Sequence, residues 1–372
     1  MSTLILSCNT GQGHNSCAQA IKEYYDSTNE PCVIKDALSF ISSPLSKFIS
    51  WGHVTIYRKC HYLFRIGYKY SEKHPALFQE NSAIYRLLSL GADKAYNYIV
   101  DSGFDSIVCT HPFASLMMTE IKKRYNLSLP VSLLATDYTC NPGTKESDVD
   151  VHFIPHKLLL NNFENQEITK ADICISGIPI RQMFYKKTNK NEAKKALGLS
   201  NTRKHLLIMC GSMGCGPIKK IAKGLIENTQ GNFDITIICG TNNKLKRSLK
   251  RKYATDKNVK ILGYVKNISL LMDSADLYLT KPGGISVTEA STKNLPMVFI
   301  NAVAGCEEYN KMFFIQRGGA KTGKNIDEII NTSIDLLSND QKLCEMSRCL
   351  SALPKNNASE IIYNKMKNLS EN

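Results

Sequence analysis

Residues 279–290, LTKPGGISVTEA, run an apolar strand into two glycines and then open a helix with Ser286 and Thr288 in its first turn. A helix N-terminus offers N–H groups without intrahelical partners and the positive end of its dipole, so this turn suits an anion such as a phosphate. Gly283 and Gly284 carry no Cβ to hold a pyrophosphate away from the backbone. Glu289, about one turn further on, is placed to accept the hydroxyls of a ribose. An ordinary capped strand-to-helix turn uses the same residue types, so both readings stay open at this point. A second glycine turn after a strand, GSMGCGP at 211–217, offers further N–H donors, although tight packing also explains its glycines.

A third glycine turn, CNTGQGHNS at 8–16, follows the first strand. Its Gly-x-Gly, with Asp36 some 23 residues past Gly13, fits a dinucleotide-binding turn in part, but Ser16 stands where the third glycine belongs. His14 is expected to project from this loop toward an interdomain cleft, where an imidazole can serve as general base. Asp148 and Asp150 form a D-x-D pair that could point two carboxylates to one side and hold Mg²⁺ or Mn²⁺. The surrounding GTKESDVD reads better as a solvated turn entering a strand, and no metal is assigned.

Two α/β halves are needed to position these turns. In the first, strands are expected at Leu4–Cys8, Cys32–Ile34, Ser106–Cys109, Val131–Ala135, His152–Ile154 and Ile173–Ser176, with a helix over Ser16–Tyr25. The polar, basic stretch Tyr185–Lys195 has no apolar period and reads as a linker. The second half restarts the pattern with strands at His205–Met209, Asp234–Cys239, Val259–Ile261, Leu277–Thr280 and Met297–Ile300. Strand, glycine turn and helix open both halves, which predicts two Rossmann-like domains of an α/β protein facing across a cleft. The boundaries expected are 1–186, 187–354 and a C-terminal helix over 355–372 behind Pro354.

At 372 residues with 43% hydrophobic and 22% charged content, the chain is long enough for two packed cores. Its 13 cysteines include no C-x-x-C spacing, and reduced thiols explain them better than disulfides or zinc. No apolar run approaches the roughly 18 residues of a spanning helix. The net charge of +14 calls for an anionic partner: nucleic acid, membrane or nucleotide phosphate. The first 186 residues carry 18 Lys and Arg against 17 Asp and Glu; the remainder carries 29 against 16. Within the first half, residues 37–71 contain no acid, yet hold Lys47, Arg58, Lys59, Arg65 and Lys69 among Phe48, Trp51, Tyr57, Tyr62, Phe64, Tyr68 and Tyr70. Cations interleaved with aromatics suit an anionic membrane surface, and RNA stacking uses the same types. The acid-free length favours the membrane, with Trp51, Arg58, Lys59 and Arg65 as contacts.

GQGHNSCAQAI (11–21), THP (110–112), ATDY (135–138), ISGIPIRQMF (175–184), LLIMCGSMG (206–214), LGYV (262–265), TKPGGISVTEA (280–290) and GCEEYN (305–310) occur in one order along the chain. In these motifs the sequence resembles the processive diacylglycerol glucosyltransferases and monogalactosyldiacylglycerol synthases. The N-acetylglucosaminyltransferase that forms lipid II is a more distant relative. The resemblance implies a GT-B fold with the sugar donor in the second domain. The Val265 main chain would meet uracil; Gly284, Ile285 and Ser286, with Gly211 and Ser212, would meet the diphosphate; Glu289 would hold the ribose. Glu307 and Asn310 would contact the hexose, glucose or galactose, a choice left open because Cys306 stands where relatives usually carry Gln.

The implied reaction is an inverting transfer from UDP-glucose or UDP-galactose to diacylglycerol or a glycosyl-diacylglycerol. His14 is the expected base and Asp137 its second, as base or acceptor orienter. Fixed N–H donors at the leaving diphosphate remove the need for a metal, so no cofactor is expected. The enzyme is expected to lie peripherally on the cytoplasmic face of the membrane, without a nucleic-acid partner. Alternatives are a UDP-sugar epimerase or peptidoglycan-type transferase of the same fold, a non-enzymatic basic membrane or RNA-binding protein, and a nicotinamide oxidoreductase.

Overall fold

The computed structural model describes residues 1–9, 11–44, 46–47, 51–52, 61–168, 173–300 and 305–371. The chain divides into two compact units: residues 1–182, 303–309 and 355–372 form the first, and 183–302 with 310–354 the second.

In the first unit six strands form one parallel sheet: β1 (Thr3–Ser7), β2 (Cys32–Asp36), β3 (Ser106–Cys109), β4 (Val131–Leu134), β5 (Val151–Ile154) and β6 (Ile173–Ile175), in the order β2-β1-β3-β4-β5-β6. β1, β3, β4 and β5 are buried at every position, which is why they read as continuous apolar runs rather than alternating ones. The helix Pro112–Tyr125 buries Leu116, Met117, Met118 and Ile121. Pro112 opens it, and the His111 ring accepts the Phe113 N–H at 3.0 Å. The C-terminal helix Ala358–Glu371 packs in this unit against the helix Gln12–Ser27: Ser359 donates to the Ala20 carbonyl at 3.1 Å, and the Tyr363 and Tyr25 rings meet edge-on at 5.0 Å.

The second unit has its own parallel sheet: β7 (His205–Met209), β8 (Asp234–Ile238), β9 (Val259–Leu262), β10 (Leu277–Thr280), β11 (Met297–Phe299) and β12 (Ala320–Thr322), in the order β12-β11-β10-β7-β8-β9. The helix Ile218–Thr229 buries Ile218, Ile221, Ala222 and Leu225 at helical spacing against this core. The expected linker at 185–195 is helical in its second part. Asn189 accepts the Asn191 N–H at 2.9 Å and starts the helix Lys190–Ala196. Lys194, polar in the sequence, is buried because its ammonium reaches Asp276 at 3.1 Å.

Each sheet reverses its strand order once, between β1 and β3 and between β7 and β10. Open α/β sheets bind ligands at such switch points, beyond the C-terminal strand ends.

Candidate functional sites at the two switch points

In the second unit, β7 and β10 end side by side, with Met209 opposite Thr280. The two glycine turns of the sequence therefore emerge as neighbours. Gly283 caps the helix Gly284–Thr292, which carries no side-chain cap and no acid in its first turn. Its positive end is thus uncompensated from within the helix, the arrangement that favours an anion. Val287, Ala290 and Ser291 face the core, whereas Ser286 and Glu289, three apart and half-buried, are neighbours on the helix surface. Asn310 is fully buried, and its Nδ2 donates to the Pro282 carbonyl at 3.0 Å, fixing the turn that presents Gly283. Glu307 is buried in the first unit. Val265 follows β9 at the edge of the sheet and is half-buried.

The 211–216 turn is locked by backbone contact. The Thr241 N–H donates to the Ser212 carbonyl at 2.9 Å, and Asn242 Nδ2 to the Gly214 carbonyl at 3.3 Å. A Cβ on Gly240 would lie 2.0 Å from the Ser212 oxygen, and one on Gly214 would lie 2.2 Å from the Cys239 oxygen, both at positive φ. Packing therefore accounts for Gly214. At Gly211, φ +68°, a Cβ would lie 3.1 Å from Lys281 Cε. The Lys281 side chain thus lies over the Gly211 turn, a cation between the two turns that the sequence reading passed over.

In the first unit, His14 stands in the first turn of the helix Gln12–Ser27 rather than in a loop, because the helix begins four residues earlier than its apolar pattern. Its Nδ1 lies 2.6 Å from the Thr110 carbonyl, beyond the C-terminal end of β3, and 3.2 Å from Thr136 Oγ1, beyond β4. A carbonyl only accepts, so Nδ1 carries the proton and Nε2 keeps its lone pair. Burial pushes the His14 pKa down, opposed by the Thr110 bond, and the neutral base is favoured. The His111 ring meets His14 edge-on at 4.5 Å.

Asp137, half-buried, follows β4 on the loop that reaches Asn141. Tyr68 Oη donates to Asn141 Oδ1 at 2.8 Å, and burial, Cys306 and Asp137 together push the Tyr68 phenol well above its ordinary value. Other carboxylates singled out from the sequence serve structure: Asp36 accepts from Asn9 Nδ2 at 2.9 Å and the Leu38 N–H at 3.2 Å. Asp150 accepts the Val131 N–H at 2.7 Å, and Lys122 lies 3.1 Å from it and 3.9 Å from Asp148.

The helix His61–Lys73 exposes Tyr62 (73%), Leu63, Ile66 and Tyr70, and Arg65 is exposed beside them. Trp51 is 64% exposed. Arg58 and Lys59 lie outside the described residues. Among the described residues, no helix is long and apolar enough to cross a membrane.

The sequence model of monogalactosyldiacylglycerol (MGDG) synthase matches residues 14–180, and that of the glycosyltransferase family 28 C-terminal domain matches residues 205–362. Proteins named processive diacylglycerol beta-glucosyltransferase match nearly end to end. That of Bacillus licheniformis is 28% identical, over 84% of this chain and 90% of its own. That of Bacillus subtilis is 27% identical, over 96% and 93%. The chain is thus an MGDG synthase domain followed by a glycosyltransferase family 28 C-terminal domain. Solved structures place it in the GT-B fold. Acinetobacter baumannii MurG superposes with a TM-score of 0.64 at 13% identity, covering 99% of both chains. The UDP-GlcNAc 2-epimerase of Neisseria meningitidis, solved bound to UDP-GlcNAc, gives 0.63 at 14%, covering 99% of this chain and 100% of its own. A MurG and an epimerase share the fold, so fold alone does not choose the reaction.

Proposed function

We propose that this glycosyltransferase moves glucose or galactose, with inversion, from a UDP-sugar to diacylglycerol or a glycosyl-diacylglycerol at an anionic membrane surface. The observation that carries the reading is the full-length match to proteins named processive diacylglycerol beta-glucosyltransferase, together with the MGDG synthase match over the half that holds His14.

In the proposed reaction the acceptor hydroxyl attacks the anomeric carbon, His14 Nε2 takes its proton, and the bond to the UDP oxygen breaks. An alcohol is a weak nucleophile until a base takes that proton. Asp137 orients the acceptor. The diphosphate gains charge as it leaves; the free N–H groups at 283–286, those of Gly211 and Ser212, and the Lys281 ammonium stabilise it without a metal. Glu289 holds the ribose, the Val265 main chain the uracil, and Glu307 the hexose. Asn310, its amide committed to Pro282, supports the diphosphate turn in addition to any sugar contact. The exposed aromatics of 61–73, with Trp51 and Arg65, rest on the cytoplasmic face of the membrane.

Incubation with diacylglycerol vesicles and, separately, UDP-glucose, UDP-galactose and UDP-N-acetylglucosamine, followed by lipid mass analysis, tests the reading. A hexosyl-diacylglycerol from one of the first two donors supports it. Epimerised UDP-sugar with no glycolipid overturns it.

A further inference from the structure

Of the described side chains on the helix His61–Lys73, all but Tyr68 and Ser71 are exposed. Ser71 Oγ donates within the helix, to the Tyr68 carbonyl at 2.7 Å. Tyr68 reaches outward, and its two contacts are specific. Its Oη donates to Asn141 Oδ1 at 2.8 Å. Its ring fills the space over Gly305, where a Cβ would lie 2.0 Å from the ring's Cδ1. Gly305 thus lets the ring and the backbone approach as no larger residue could. One turn further along the helix, Glu72 accepts a hydrogen bond from the Tyr309 hydroxyl.

These contacts fall on the two segments of the first unit that the proposed reaction uses. Asn141 stands four residues past Asp137 on the same loop, and residues 305–309 include Glu307. The Tyr68 hydroxyl is a durable donor. Burial, with Cys306 and then Asp137 adding to it, holds the phenol well above its ordinary pKa of 10, so it keeps its proton wherever His14 is a working base. A buried hydroxyl bonded to a buried amide fixes a loop in one arrangement, because either group left alone is costly. Precision matters here: a displacement of about 1 Å in a group that orients a substrate can cost about 100-fold in rate.

We propose that Tyr68 is a positioning residue for the transfer. Through Asn141 it sets the loop that carries Asp137, through Gly305 it sets the segment that carries Glu307, and it ties both to the exposed helix His61–Lys73. The inference rests on the proposed transferase function and adds to it a residue that acts through others. Acceptor alignment is then built into the helix proposed to rest on lipid.

Three variants of the full-length protein test this. Tyr68→Phe keeps the ring and deletes the hydroxyl, Asn141→Ala removes its partner, and Gly305→Ala drives a methyl group into the ring. Each should lower kcat on diacylglycerol vesicles roughly 10–100-fold, with the acceptor KM within about threefold. UDP affinity by calorimetry and vesicle flotation should match the parent, as should the acid limb of the kcat profile, which belongs to His14. Tyr68→Phe combined with Asn141→Ala should be no slower than the slower single variant, because both delete one bond. Hydrogen exchange, measured without substrate, should speed up at amides 137–141 and 305–309. A folded Tyr68→Phe with kcat within twofold of the parent overturns the assignment, as do losses that add in the double variant or unchanged exchange at 137–141. If Tyr68→Phe fails to fold, Asn141→Ala and Gly305→Ala decide. A parent protein that makes no glycolipid from any donor overturns the transferase reading instead, on which the exchange measurement does not depend.

Discussion

His14 Nδ1 lies 2.6 Å from the carbonyl oxygen of Thr110, 96 residues further along the chain. That bond fixes the tautomer and leaves Nε2 as the basic nitrogen. Replacing the imidazole by His14→Ala should lower turnover by roughly 10²–10⁴-fold while leaving UDP affinity nearly unchanged. Activity within a few fold of the parent would move the role to Asp137.

The pH dependence follows from the same residue. Burial lowers the His14 pKa from its ordinary 6.5. A general base works deprotonated, so activity should hold as pH falls through 6.5 and decline only on the acid side of that value. A kcat profile from pH 8 to 5 whose acid limb lies at or above 6.5 would assign the limb to another group.

Donor affinity should depend on two side chains that flank the Gly283–Gly284 turn. Glu289→Ala is expected to weaken UDP binding by about 1.5–3 kcal/mol, the range for a lost charged hydrogen bond. Lys281→Ala should weaken UDP more than uridine, because the cation serves the diphosphate. Isothermal calorimetry with both ligands checks each. Chelation of divalent metal should leave the affinity and the turnover intact, and restoration of lost activity by Mn²⁺ would return attention to Asp148 and Asp150.

Two glycine substitutions should differ sharply. Gly214→Ala puts a methyl 2.2 Å from the Cys239 carbonyl oxygen at φ +57°. It should destabilise the second unit by at least about 2–4 kcal/mol. Gly11→Ala meets nothing within 4 Å, and its φ of −170° is ordinary extended backbone. It should unfold with the parent in thermal denaturation.

Acid should weaken the second unit through His205. This ring is fully buried, bonded to Thr236 Oγ1 at 2.8 Å and Ser274 Oγ at 3.0 Å, and burial pushes its pKa down to about 4. The unfolded chain binds the proton from about pH 6.5 downward and the folded chain only near 4, so stability is lost across that window, by up to about 3 kcal/mol. His205→Gln should show a shallower fall in unfolding temperature between pH 7 and 4.5. An identical slope would exclude His205 as the cause.

Vesicle flotation addresses the helix His61–Lys73. Binding should rise with anionic lipid and fall with salt. Arg58, Lys59 and Arg65 changed together to Glu should nearly abolish it, at about 1 kcal/mol per basic residue. Tyr62→Ser with Ile66→Ser should weaken it at all salt concentrations, because those exposed side chains contribute apolar insertion.

Much of this architecture is legible in the chain. Buried parallel strands read as apolar runs, and eleven of them lie within two residues of where the sequence puts them. β12 escaped because Ala320, Lys321 and Thr322 show no apolar run, and pairing with β11 alone makes them a strand. The start of the helix at His14 was hidden by Gly11 and Gly13, which disfavour helix. Thr110 as the partner of His14, and Asn310 as the brace of Pro282, are relationships across 96 and 28 residues that no local spacing announces. Lys281 falls between the expected strand end at Thr280 and the Gly-Gly turn with no role evident from spacing, and only its position over Gly211 gives it a part in the proposed anion site.

The C-terminal helix Ala358–Glu371 lies on the helix Gln12–Ser27, with Ser359 bonded to Ala20 339 residues earlier and Ile362 and Met366 fully buried. During synthesis at about 5–20 residues per second, that partner arrives roughly 20–70 s after the surface it covers. The second unit, contiguous but for a short return to the first, has its whole sequence out of the ribosome sooner. The half made first is therefore the half completed last, and until then the surface that Ile362 and Met366 cover stays open.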